Sequence, residues 1–145
     1  KRTAKARGQS APVVIEQGTF GLNRRLLLSQ LHRVLVSNVH AELLFGEDEV
    51  LVAAKDLVNG VSVWIQEGGE VEYFHILFDE HEIVFAEGLP TESFFPGPQT
   101  LSGFDEENKA QLYALLPNID PVSGEGYGDP ARLPLKSFEA MAVLA

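Results

Sequence analysis

EVEYFHILFDEHEIVFAEG, residues 70–88, is the stretch whose reading decides the fold. Alternation puts Val71, Tyr73, His75 and Leu77 on one face and Glu72, Phe74, Ile76 and Phe78 on the other. The first face is apolar except for His75. The second is apolar beyond Glu72, which predicts a strand covered on both sides near its end. Asp79 and Glu80 supply a tight polar turn, and the chain returns through Ile83, Val84 and Phe85 to Gly88. A two-stranded hairpin is therefore expected. Two of the histidines, His75 and His81, fall inside this unit. An ionisable ring within such an apolar run either finds a partner or does chemistry.

Short strands flank this unit. Pro12 opens one over Val13–Ile15, and Gln17-Gly18-Thr19 and Gly21-Leu22-Asn23 are turns. Leu26, Leu27 and Leu28 lead into Ser29-Gln30-Leu31-His32. Val34, Leu35 and Val36 form a strand that ends at Ser37-Asn38. Residues 41–45 read as a further strand, turned by Gly46-Glu47-Asp48 into Val50, Leu51 and Val52. Residues 53–58 suit one helical turn closed by Asn59-Gly60. Val61, Val63 and Ile65 alternate as a strand, and Glu67-Gly68-Gly69 turns the chain into the central unit. Strands this short and closely spaced predict a mainly β body. Beyond Pro96 the pattern changes. Phe104, Leu112, Leu115 and Leu116 have helical spacing, with Asp105 as N-cap and Pro117 as stop. Residues 118–134 read as loop. Ser137 caps a last helix with Phe138, Met141 and Leu144 on one stripe. Both helices are expected to pack on the β body.

The 145 residues suit one domain with a real core. Net charge is −10 but uneven, because Lys1, Arg2, Lys5, Arg7, Arg24 and Arg25 face a single acid, Glu16, in the same stretch. No aromatic residue interleaves with these cations and the body is acidic, so residues 1–11 read as a solvated linker and not as a nucleic-acid arm. The absence of cysteine removes disulfides, thiolate metal sites and any thiol nucleophile from these residues. No apolar run has the length to span a membrane, and the basic start lacks the apolar core of a signal peptide. The chain has no initiating Met, which suggests a fragment.

Ser29 stands three residues before His32 at a strand entry. A histidine there can protonate a departing amide nitrogen, and the hydroxyl can orient the peptide to be cleaved. The same spacing equally fits a surface turn with a capping Ser and a solvated His. His75 and His81 are further candidates, or structural rings bonded to backbone. Three histidines with an acid such as Glu82 would suit zinc, although the spacing matches no zinc signature. There is no GxSxG elbow and no glycine-rich phosphate loop.

The runs LLLSQLHRVLV, ELLFGEDEVLVAAKDLVNG and EVEYFHILFDEHEIVFAEGLPTESFFPG together resemble the bacterial Hedgehog/intein (Hint) domain, from Pro12 to Gly97 almost without a break. The tail GYGDPARLPLKSFEA is similar to the ends of such proteins. The family's Thr/Ser-x-x-His falls on Ser29 and His32. Its Ala-x-x-Leu-x-x-Gly element falls on Ala54, Leu57 and Gly60. Its later block, with an aromatic, a polar catalytic residue and a downstream His, falls on Phe74, His75 and His81. The family's opening nucleophile block, a Cys or Ser with a short Gly-containing segment, is not matched here. The intein C-terminal His-Asn pair is also absent, with Thr91-Glu92-Ser93 in its region, which speaks against asparagine cyclisation.

The resemblance implies a mainly β, bent-strand horseshoe, incomplete here, with residues 1–11 as linker, 12–97 as the C-terminal part of a Hint domain and 98–145 as a helical extension. It implies autocatalytic peptide cleavage. An upstream Cys or Ser attacks the preceding carbonyl, His32 protonates the leaving amine, Ser29 positions the peptide, and His81 and His75 assist later steps. No cofactor is implied. The implied partner is the upstream half of the domain with its attached protein, without which this chain would be inert, and neither nucleic acid nor membrane is implied. A secreted or cell-surface setting within a larger bacterial protein is the one the family suggests. A catalytically silent β scaffold and a His-based metal hydrolase are the alternatives.

Overall fold

The structure is a computed structural model and describes residues 2–145. Ten strands run in chain order: β1 Arg2–Lys5, β2 Val13–Ile15, β3 Leu26–Leu28, β4 Arg33–Ser37, β5 Glu49–Ala53, β6 Val63–Ile65, β7 Glu70–Tyr73, β8 Ile83–Ala86, β9 Leu89–Glu92 and β10 Leu133–Pro134. The α-helices are α1 Val39–Phe45, α2 Pro98–Leu101, α3 Glu106–Leu115 and α4 Ser137–Leu144. Among the described residues the strands form three open sheets, ordered β10-β5-β4-β9-β8, β3-β2-β6 and β1-β7. The fold is mainly β, as expected.

The main core lies where the first two sheets and α4 meet. Val13 and Ile15, Val34, Val50 and Val52, Val63, and Ala140 and Val143 form one buried cluster. Its strands contribute mainly β-branched residues, which suit a pleated surface. A second cluster joins Phe94, Leu101, Leu112, Ile119 and Tyr127. The C-terminal third is thus woven into the body. β10 pairs in parallel with β5, and Leu135, Ala140 and Val143 complete the main core.

Several expectations are corrected. The central stretch is not a hairpin. β7 pairs with β1, residues 74–78 belong to no strand, and β8 pairs with β9. The true hairpin turns at Glu87-Gly88, both with positive φ (52° and 88°), which suits a two-residue turn between twisted strands. Pro90 disguises β9, a strand whose ladder pairing with β4 is a single residue pair, Val34 with Thr91. Residues 2–5 of the expected linker are strand β1, whose Arg2 donates to the Gly103 carbonyl and lies over the Tyr73 ring. Lys1 lies outside the described residues.

Residues 41–45 are helical, not a strand. The Asn38 side chain accepts the Ala41 N–H at 2.9 Å, and Gly46, at φ +72°, closes the helix with its N–H on the Glu42 carbonyl. The alternation read in residues 71–78 does describe the sides of the segment, but only one side is covered. Phe74, Ile76 and Phe78 are exposed, Phe74 by 67%. The Phe138, Met141 and Leu144 stripe of α4 also faces outward, and the helix packs instead through its small residues Ala140 and Val143.

Asn38 ties α1 to α4 as well, since its Nδ2 donates to the Val143 carbonyl. Asn38→Ala is expected to destabilise the chain by about 1–2 kcal/mol and to lower its melting temperature by roughly 3–6 °C, measured by thermal circular dichroism.

Candidate functional site

Ser29-Gln30-Leu31-His32 is a turn between β3 and β4, closed by the His32 N–H on the Ser29 carbonyl at 3.1 Å. It is docked on the short 3₁₀ helix Ala54–Leu57. The Ala54 N–H donates to the His32 carbonyl and the Lys55 N–H to that of Gln30. Buried Ala54 and Leu57 anchor that helix in the main core. Gly60, at φ +77°, lies in the turn that follows. The Asn59 carboxamide organises this turn by accepting three N–H groups, from Val61, Ser62 and Val63. The two sequence elements are therefore one physical unit: the second carries the first.

The turn opens on a groove of about 270 Å³. Ser29, His32 and His75 all line it, so three of the four expected site residues meet there. β3 and β8, each the edge of its sheet, stand on the groove, and Phe74, Ile76 and Phe85 form part of its lining. His75 is wedged against Phe94 and Phe104, with ring centroids 4.9 and 5.2 Å away. Its Nε2 is buried and meets no hydrogen-bonding partner among the described residues. Burial, aided by the nearby Arg2 charge, lowers the His75 pKa to about 4.

His81 is placed differently. Its side chain is wholly buried, and it lies behind Glu92. The Ala131 N–H donates to its Nδ1 at 2.8 Å, which fixes the proton on Nε2, and Nε2 donates to Glu92 Oε2 at 2.9 Å. Both ring nitrogens are engaged, so in this arrangement His81 offers none to a substrate. Ser93 locks the neighbouring chain, its N–H on the Glu82 carbonyl and its hydroxyl accepting the Glu82 N–H.

Glu92 is the residue that sequence reasoning missed. Its Oε1 accepts the Arg33 N–H at 3.0 Å and its Oε2 accepts Arg33 Nε–H at 2.9 Å. Its main-chain carbonyl lies 3.0 Å from His32 Nε2 and must receive that proton, since a carbonyl has none to give. His32 therefore keeps Nδ1 as its lone-pair nitrogen. Burial depresses the His32 pKa, against the opposing Glu92 charge and carbonyl bond. For Glu92 burial pushes upward, but the His81 and Arg33 bonds prevail and hold the carboxyl below its ordinary value. An acid in Thr-Glu-Ser reads as a surface residue. Nothing in the order of residues pairs it with Arg33.

No three His, Asp or Glu side chains among the described residues form a set able to hold a metal ion. The zinc arrangement of His32, His75, His81 and Glu82 is thus not assembled.

The shifts fix a pH dependence. Between pH 6.5 and about 4 the unfolded chain carries the His75 proton and the folded chain does not, so stability falls as pH falls through that window. The effect is worth at most about 3 kcal/mol. His32 acts in the same direction, and Glu92 adds a loss below its ordinary pKa. Urea unfolding at pH 7 and at pH 4.5 is expected to show the loss in the parent, and His75→Phe is expected to reduce it.

A family model described as the Hint domain matches residues 1–98. No curated protein and no solved structure matches the chain. The matched region holds the Ser29–His32 turn, the helix that carries it, His75, His81 and Glu92, and it makes up most of the chain. The chain belongs to the Hint domain family.

Proposed function

We propose that the groove serves self-catalysed peptide cleavage by an acyl shift. The observation that supports it is His32, held at the groove with Nε2–H on the Glu92 carbonyl and its Nδ1 lone pair kept for a proton. A Cys or Ser carried by an upstream segment attacks the carbonyl carbon of its own preceding peptide. The new S–C or O–C bond forms as the C–N bond breaks. His32 takes the nucleophile's proton and delivers it to the departing amide nitrogen, which is a poor leaving group until protonated. A depressed pKa keeps this ring neutral near pH 7, ready to accept first. Ser29 positions the peptide across the groove. His75 assists later proton transfers from the groove wall, and His81 acts there only if it is released from Ala131 and Glu92.

The upstream half of the domain is the partner this reading calls for. Two open strand edges, β3 and β8, and the exposed Phe74, Ile76 and Phe85 suit an added extended segment, with main-chain bonds to the edges and apolar contacts between. An apolar dye is expected to bind the isolated chain, and the added half is expected to displace it. A dye-silent isolated chain would count against this occupant.

The decisive test joins the chain to that nucleophile block and traps the acyl intermediate with hydroxylamine. His32→Ala is expected to lower trapped product by about 10²- to 10⁴-fold while circular dichroism stays unchanged. A folded His32→Ala protein that is trapped at the parental rate removes His32 from the chemistry and favours a catalytically silent scaffold.

A further inference from the structure

We propose that Glu92 is the positioning residue for His32: its main-chain carbonyl selects which ring nitrogen faces the groove, and its carboxylate ties that carbonyl to Arg33, His81 and the C-terminal segment. The proposal rests on the reading of His32 as the proton carrier.

Three donors converge on one side chain. Arg33 N–H takes Oε1, while Arg33 Nε–H and His81 Nε2–H share Oε2. Only a carboxylate accepts on both oxygens. A glutamine here sets its amide NH₂ against at least one N–H, whichever way it is flipped. The clamp therefore demands Glu and not merely a polar residue of that length.

Each arm comes from a different part of the chain. Arg33 opens β4 directly beside His32. His81 is pinned to the 92–93 main chain through Glu82 and Ser93. The third arm comes from beyond the family-matched region. Ala131 N–H fixes the His81 tautomer that can donate to Glu92, Tyr127 Oη–H donates to the Phe78 carbonyl at 2.6 Å, and the Tyr127 ring meets Phe95 edge-on. Phe95 in turn packs against the His81 ring and lies under the Arg33 guanidinium. A continuous chain of bonds thus runs from Ala131 through His81 and Glu92 to His32 at the groove. In a Ser-His-Asp triad a directly bonded carboxylate holds the imidazole tautomer, and losing it costs about 10⁴-fold; here a main-chain carbonyl takes that place and the carboxylate holds the carbonyl.

The test reads the tautomer directly. Long-range ¹⁵N–¹H correlation spectra of the histidine rings, recorded on this chain at pH 7.5, are expected to show His32 mainly as the Nε2–H form. In Glu92→Gln the two tautomers are expected to approach equal populations while the fold, checked by circular dichroism, persists. His81→Phe, which keeps a ring against Phe95 but removes the donor, is expected to give a smaller shift in the same direction, and it serves as the test if Glu92→Gln fails to fold. An unchanged His32 tautomer in whichever of these variants is folded overturns the proposal. This readout needs no cleavage. A tautomer shift without any acyl trapping in the joined protein would sink the acyl-shift reading alone. Trapping at the parental rate in Glu92→Gln would overturn the positioning role alone.

Discussion

The Glu92 carboxylate is the constraint on which the site depends. A charge placed in the interior loses its hydration, at a cost of several kcal/mol per ion, and is tolerated only when its lone pairs are met. Glu92 meets this condition with three N–H donors and the Arg33 charge. Satisfying one buried group then dictates much else. β9 must end beside the start of β4, His81 must turn inward, and the segment around Ala131 must cross behind it. The interaction specifies geometry, since each donor must reach the same two oxygens.

The same network separates the histidines by what their neighbours leave free. His32 spends one nitrogen on a carbonyl and keeps the other, His75 sits between aromatic rings in the groove wall, and His81 spends both nitrogens inside the protein. The one residue type therefore gives three different behaviours within a small region, set by the number of hydrogen-bond partners that each ring has.

Local patterns in the sequence were good guides where the physics is local. Alternation identified the face of residues 71–78 that carries Tyr73 and His75, and caps located α3, whose Asp105 accepts the Asn108 N–H. The Ser29–His32 turn was legible from its spacing. Reading failed where the outcome depends on a distant partner. Periodicity separates the two faces of a strand but does not say whether anything lies against each, so the exposure of Phe74 and Ile76 is not legible in it. Residues 41–45 were too short a run to separate strand from helix by periodicity, and Ala41, Glu42, Leu43 and Leu44, with the Asn38 cap and Gly46, decide for helix. In α4 the large side chains drew attention, while close approach to the body selected Ala140 and Val143. Glu92 was invisible because its meaning lies in Arg33 and His81, far apart in sequence.

The Ala131 N–H reaching His81 has a consequence for the order of events during synthesis. Residues 1–98 leave the ribosome with Ser29, His32, His75 and Glu92 already present, yet the last support of His81 arrives only when the chain has been made past residue 131. Until then Nδ1 has no donor holding it, and the ring is free to take either tautomer. Support of the His81 tautomer is thereby tied to synthesis past residue 131, when the segment that supplies the Ala131 N–H has been wound into the body.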